Sequence, residues 1–155
     1  MKGDPKVIDQ LNKLLANELT AIDQYFIHSR MFADWGYGKL HEHISHEAAH
    51  ETEHASRLIE RMLLLEATPN MTQRDPLKVG SQVEEMLRND LDLEYKVVDD
   101  LKAAIEVCEQ QHDYQSRRIL EQLLADTEED HAYWLEQQLG LIKSLGIQNY
   151  LQSQQ

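Results

Sequence analysis

Six acidic and histidine side chains are spaced so that they could hold metal ions together. They interrupt stripes of apolar residues that have helical spacing, away from the expected helix ends. They comprise two lone glutamates and two Glu-x-x-His pairs: Glu18, Glu94, Glu51/His54 and Glu128/His131. An unpaired carboxylate on a core-facing stripe is costly, so each of these positions calls for a partner. Carboxylates combined with imidazoles suit divalent iron or manganese.

The two halves of the chain repeat this pattern. Glu18 precedes Glu51 by 33 residues, and Glu94 precedes Glu128 by 34 residues. If the four carboxylates converge in one core, they cannot all stay ionised without compensating cations. Two divalent iron ions would supply that charge, so the spacing predicts a two-metal centre.

Long uninterrupted helices must position these residues. The 6 Gly and 3 Pro are clustered, and between the clusters the chain is rich in helix-forming Leu, Ala, Glu, Gln, Lys and Arg. No alternating strand pattern occurs, which predicts an all-α fold. The stretches free of Gly and Pro are 6–35, 39–68 and 81–139.

The last stretch is too long for one helix of a small domain, because its 59 residues would extend roughly 88 Å. The polar segment 110–113 is the predicted break, with Asp113 as an N-cap. Gly140 is expected to end the fourth helix. A short fifth helix is expected from Leu145 to Leu151.

Connection lengths predict the topology. Short turns near Gly36 and Asp113 make each flanking pair of helices antiparallel. Extended residues 67–80 can span roughly 45 Å, the length of a 30-residue helix. We therefore expect a four-helix bundle with one long crossover, in which both lone glutamates lie roughly 28 Å from their turns and both pairs roughly 21 to 28 Å. All six side chains would meet near mid-height.

Composition excludes several classes of function. Acidic residues outnumber basic ones by 28 to 15, giving a net charge of −13, so nucleic acid is not an expected partner. The single cysteine, Cys108, excludes an internal disulfide framework and CxxC metal sites. No apolar run suits a signal peptide or a membrane span. One domain over residues 1–155 in the reducing cytoplasm is expected, with no membrane partner.

The pattern of lone glutamates and Glu-x-x-His pairs resembles that of ferritin-like di-iron bundles. Over nearly the whole chain the sequence resembles the bacterioferritin branch of bacterial ferritins. The segments that carry this resemblance are Asn17-Glu18-Leu19, Gln24-Tyr25-Phe26, His28-Ser29-Arg30-Met31, Glu128-Glu129-Asp130-His131 and Asn149-Tyr150-Leu151-Gln152.

This resemblance implies iron storage in a 24-subunit homo-oligomeric shell with ferroxidase activity, in which Fe(II) is oxidised and the mineral is kept inside. Glu18 and His54 would bind one iron, Glu94 and His131 the other, and Glu51 and Glu128 would bridge. Tyr25 matches a tyrosine implicated in electron transfer. His46 and His50, one helical turn apart, are candidates for passing iron along the inner surface.

The sequence departs from the family at its haem site. The methionine that binds haem in bacterioferritins directly follows the metal-ligand glutamate of helix two that Glu51 matches, and here that position is Thr52. A hydroxyl cannot replace a thioether ligand, so a homo-oligomer is expected to lack haem. A mixed shell with a haem-binding, Met-bearing paralogue would restore it. Docking of a ferredoxin-type reductant is left open.

Two other functions compete with iron storage. Residues 46–54 contain two overlapping HExxH patterns, which are typical of zinc metalloproteases. That interpretation leaves the residues of the second half without a role, and the Gly of the extended protease motif is missing. The other alternative is a non-catalytic structural subunit in a mixed ferritin shell.

Overall fold

The computed structural model describes all residues from Met1 to Gln155. The chain is helical throughout, apart from its turns and one long connection, and it contains no strand. The helices are α1 (Pro5–Asp34), α2 (Gly38–Leu64), α3 (Val83–Gln110), α4 (Tyr114–Asp126), α5 (Tyr133–Leu145) and α6 (Ile147–Ser153). A π-helical segment, Thr127–Ala132, joins α4 to α5 without a break.

Local sequence signals account for several helix ends. Asp4 caps α1 by accepting a hydrogen bond from the Lys6 amide, and Pro5 occupies the first turn. Asp113 caps α4 by accepting from the Ser116 amide, as expected from the sequence. The expected end at Gly140 is wrong, because the helix continues to Leu145 and stops at Gly146, whose φ of 80° favours glycine.

The topology is the predicted bundle with one crossover. α1 and α2 form one hairpin, and α3 pairs with the continuous helix formed by α4, the π segment and α5. Asn17 of α1 bonds to Asp100 and Gln24 bonds to Asp90, so α1 and α3 are antiparallel. The crossover, residues 65–82, therefore runs the full length of the bundle and places α3 parallel to α2.

Polar side chains of α1 fasten this crossover to the bundle. Three of them lie at successive turns of α1 and form hydrogen bonds with backbone groups of the crossover. Thr20 Oγ1 accepts from Asp75 N at 2.8 Å, and Gln24 Oε1 accepts from Lys78 N at 3.2 Å. His28 Nε2 donates to Val79 O at 2.6 Å. The other side of the His28 ring contacts the buried Asp90 of α3 at 2.9 Å. This pair raises the pKa of His28 although burial alone would lower it.

Apolar packing is divided into two clusters along the bundle. The first contains Val7, Leu58 and Cys108, and the second contains Phe32, Leu87 and Tyr150 from the short α6. Buried polar side chains lie between them, at the mid-height that the sequence predicted for its candidate metal ligands. None of the helices is both long enough and apolar enough to cross a membrane.

Candidate metal centre

Five of the six predicted ligands meet in the polar layer between the two apolar clusters. They come from all four helices of the bundle, and each is almost fully buried: Glu18, Glu51, His54, Glu94 and His131. Ionisable side chains are seldom buried to this degree unless they are paired or bind a metal.

These residues form two groups that share one carboxylate. Glu18, Glu51 and His54 make up the first group, which we call the His54 position. Glu51, Glu94 and His131 make up the second, the His131 position. Within each group the candidate ligand atoms lie within 4.8 Å of one another. Both have the composition of a site for a first-row divalent cation.

Both histidines turn the same ring nitrogen towards the carboxylates. His54 Nδ1 lies 3.6 Å from Glu51 Oε2 and 3.7 Å from Glu18 Oε2. His131 Nδ1 lies 2.6 Å from Glu51 Oε1 and 3.7 Å from Glu94 Oε1. The two oxygens of Glu51 thus face different histidines, which is the arrangement required of a bridging ligand.

The inward-facing atoms lack well-formed hydrogen bonds within the protein. The atoms in question are Glu18 Oε2, Glu51 Oε1, Glu94 Oε2, His54 Nδ1 and His131 Nδ1. Buried polar atoms without a partner are destabilising by about 1 to 3 kcal/mol each. Metal ions at the two positions would be ligated by these atoms, so the residues present fit a two-metal centre.

Protonation of the centre depends on burial and on neighbouring charges. Burial and the charge of Glu51 together raise the pKa of Glu94 to about 7, although contacts with His131 and Tyr25 act to lower it. The Tyr25 hydroxyl donates to Glu94 Oε1. Burial and the charges of Glu94 and Asp90 hold the pKa of Tyr25 well above its usual value. Below neutral pH, Glu94 therefore carries a proton that a metal ion must displace.

Glu128 is the predicted ligand that lies apart from the others. Its side chain is exposed, and it belongs to neither group. The reason is the π-helical segment Thr127–Ala132. Residues three apart share a face in an α-helix, but the wider turn of a π-helix, with bonds between residues i and i+5, turns Glu128 away from the side of His131.

Two acids that the sequence pattern did not predict lie beside the centre. Glu47, one turn before Glu51 on α2, is buried with Oε2 2.7 Å from His131 Nε2. Contacts with His131 and His43 lower its pKa to about 2 although burial opposes this. Glu47 lies four residues before Glu51, so helical spacing alone predicts both carboxylates on the same face of α2. Asp126, which bonds to His54 at 3.0 Å, is not predicted by such spacing because the π segment sets its orientation.

The two histidines predicted to line an inner surface have different surroundings. His50 is half-buried, and its Nδ1 lies 3.2 Å from His131 Nε2 and 3.8 Å from Asp130 Oδ2. With Glu47 these residues form a third cluster of candidate ligand atoms. His46 is exposed, with its ring 5.0 Å from that of His50. A continuous row of imidazoles thus leads from the surface to the centre.

The two remaining sequence motifs also lie on α2. Thr52, at the position of the family's haem ligand, is exposed and donates its hydroxyl to Ala48 O at 3.0 Å. The glutamates of the two HExxH patterns are Glu47 and Glu51, and both face His131 from the other hairpin. This arrangement does not favour a zinc site built from the HExxH residues alone.

Comparison with known proteins gives consistent matches over almost the entire chain. Residues 8–145 match the family model described as a ferritin-like domain. The chain is 64% identical to the bacterial ferritin of Synechocystis sp. over 154 residues, which cover 99% of each protein. It is 58% identical, with the same coverage, to the bacterial ferritin of Pseudomonas aeruginosa. It is 42% identical to the bacterioferritin of Mycobacterium avium over 97% of this chain and 94% of that protein.

Proposed function

This chain belongs to the ferritin family, whose members store iron, and we propose that it is a ferroxidase with an intrasubunit di-iron centre. The observation that carries the proposal is the pair of buried ligand groups sharing Glu51. Glu18 and His54 would hold one Fe(II), and Glu94 and His131 the other. Both irons are substrates that leave as Fe(III) for a mineral store.

Charge balance supports a role for the sixth predicted ligand. Two Fe(II) ions bring four positive charges, whereas Glu18, Glu51 and Glu94 supply three negative ones. A buried excess of charge is unfavourable. Glu128 lies on the same π segment as His131, and we propose that it completes the centre as a second bridge when the metals bind.

The oxidation of Fe(II) requires few chemical steps of the protein's own side chains. Each Fe(II) gives one electron, so two irons reduce one O₂, which takes up two protons and leaves as hydrogen peroxide; peroxide as oxidant would instead yield two waters. The carboxylates favour the ferric product because they stabilise the higher positive charge. Tyr25 is hydrogen-bonded to Glu94, and from this position its side chain would supply a further electron to the centre.

The histidine row supports a path for iron between the centre and a mineral store. His50 and Glu47 adjoin His131, and the exposed His46 adjoins His50. Imidazole and carboxylate side chains can each bind iron transiently. We propose that His46 and His50 pass iron along this row.

Assembly and cofactor content complete the proposal. We propose a closed 24-subunit shell, as the family resemblance implies, built from this chain alone or mixed with a Met-bearing paralogue. With Thr52 at the ligand position, the homo-oligomer binds no haem between subunits. A cytoplasmic location, a ferredoxin-type reductant and the single domain over 1–155 remain predictions.

The decisive experiment is anaerobic titration of the metal-free assembly with Fe(II), followed by a pulse of O₂. We expect saturation near two irons per subunit and rapid oxidation, followed by rapid growth of the mineral. The variant His131→Ala should assemble normally and oxidise iron far more slowly, whereas His46→Ala should keep the fast first oxidation. No fast phase in the unaltered protein would contradict the proposal and favour the non-catalytic structural subunit.

A further inference from the structure

Each histidine of the candidate centre touches a second acid that comes from the opposite hairpin. His54 lies on α2, and its Nε2 bonds to Asp126 Oδ2 at the end of α4, at 3.0 Å. His131 lies on the π segment that follows α4, and its Nε2 lies 2.7 Å from Glu47 Oε2 of α2. Both rings therefore have Nδ1 towards Glu51 and Nε2 towards an acid across the bundle.

The two acids differ in their contact with water. The Asp126 side chain is 47% exposed, whereas that of Glu47 is 4% exposed. Glu47 also contacts His43 at 3.3 Å, and the Nε2 of His131 has a second neighbour in His50 Nδ1 at 3.2 Å. The ring of His131 is thus enclosed by polar partners, whereas the ring of His54 is held at Nε2 by one acid at the surface.

We propose that Asp126 and Glu47 are positioning residues for the two metal-binding imidazoles, and that their unequal burial makes the two metal positions unequal. The His131 position binds a divalent cation more tightly, and the His54 position exchanges its cation more readily with solvent. This inference rests on the proposed di-iron centre and specifies how its two halves differ.

The physical basis is the effect of an acid on the far side of a ligating ring. An N–H donated to a carboxylate fixes the tautomer, so that the other nitrogen is free to bind metal, and it makes that nitrogen a stronger donor. The effect is larger in a low-dielectric surrounding than in contact with water. Glu47 therefore strengthens its position more than Asp126 does.

The π segment makes this cross-support possible. Asp126 directly precedes it and His131 lies within it, five residues later. In an α-helix, residues five apart lie on different faces. In a π-helix, backbone hydrogen bonds link residues i and i+5, so that residues five apart are neighbours on one face. The junction of α4 and the π segment thus carries the positioning acid of one metal position and the histidine of the other.

Anaerobic titration with Co(II), followed by its visible d–d absorption, tests the inference. We expect the unaltered assembly to bind Co(II) in two steps of different affinity. Asp126→Asn should weaken the second step by about 10- to 100-fold and leave the first in place. Glu47→Gln should weaken the first step instead, and Asp126→Glu should recover most of the affinity that Asp126→Asn loses.

Two controls separate a positioning role from a loss of structure. Glu129→Gln alters an exposed acid of the π segment and should leave both steps unchanged. His54→Ala assigns the steps, because it should abolish the one that Asp126→Asn weakens. In each single variant, an unchanged affinity in the other Co(II)-binding step shows that the bundle is still folded.

The possible failures are distinguishable. If the unaltered protein takes up no Co(II) and no Fe(II), the proposed function itself fails. If it binds two ions but Asp126→Asn leaves both steps unchanged, or weakens both equally, the positioning inference is overturned while the di-iron centre stands. Two steps of equal affinity in the unaltered protein would also overturn it.

Discussion

Glu51 lies between His54 and His131 with one carboxylate oxygen facing each ring, at 3.6 and 2.6 Å. Since it belongs to both ligand groups, its loss should affect both metal positions. Glu51→Gln is expected to lower the binding of Fe(II) or Co(II) to well below one ion per subunit. Glu18→Gln, which alters the His54 position alone, should retain about one. Equal stoichiometries in anaerobic titrations of the two variants would contradict a bridging role.

Glu128 is exposed in the structure, and we expect its carboxylate to join the proposed centre when metal binds. Glu128→Gln is therefore expected to leave the metal-free fold and its thermal midpoint unchanged, while slowing iron oxidation by about 10-fold or more, within the range seen when partners of a metal site are removed. Stopped-flow absorbance after mixing with O₂ measures the rate. Glu129→Gln is the matched control on the neighbouring residue, and a rate equal to this control would exclude Glu128 from the centre.

The proton on Glu94 should make metal binding depend on pH. Because its pKa is raised to about 7, the carboxyl is largely protonated at pH 6 and largely ionised at pH 8. Metal affinity should therefore fall as the pH falls through about 7, as one additional proton must be displaced. With saturating Zn(II), Glu94→Gln should release about one proton fewer than the unaltered protein at pH 6 and a similar number at pH 8. A pH indicator in weak buffer measures the release, and an equal yield at pH 6 would refute the assignment.

The buried pair of His28 and Asp90 should contribute to stability independently of metal. His28→Ala leaves the carboxylate of Asp90 short of a partner and the carbonyl of Val79 without its donor. The expected cost is about 3 kcal/mol, typical of breaking a buried ion pair on one side. It should appear as a lower thermal midpoint and as faster proteolysis within residues 70–80 of the crossover. The exposed His46→Ala variant should change neither quantity.

Thr52 should decide whether a homo-oligomer binds haem. The unaltered assembly, titrated with haem under reducing conditions, should show no Soret band characteristic of two thioether ligands. Thr52→Met restores the ligand type at an exposed position of α2 and should produce that band. Thr52→Leu, similar in size but without sulfur, is the control. The same band in the unaltered protein would show that haem binding does not depend on residue 52.

The sequence was sufficient to predict the bundle, its crossover and five residues that meet at its centre. Helical periodicity places Glu18 and Glu51 on stripes that face the core, and connection lengths put them at the same height. These features follow from α-helical geometry, which is nearly independent of the tertiary fold.

The π segment accounts for what the sequence could not predict. No residue pattern within 127–132 marks the change from α to π geometry, so α-helical spacing predicts Glu128 on the same face as His131 and gives no sign that Asp126 contacts the centre. The end of the last long helix was misplaced for a different reason. Gly140 sits within a helix whose packing outweighs its low propensity, whereas Gly146, with positive φ, ends it.

The layer of charged side chains between the two apolar clusters has a consequence for how the subunit folds. Each cluster can gain its apolar packing without the other, but the layer between them adds buried carboxylates whose inward atoms lack well-formed hydrogen bonds. We therefore expect metal binding to stabilise the middle of the bundle most, although local opening of a helical bundle ordinarily begins at the ends. Iron bound at the proposed centre would thereby also complete the packing of the subunit, and a shortage of iron would leave each subunit less rigid.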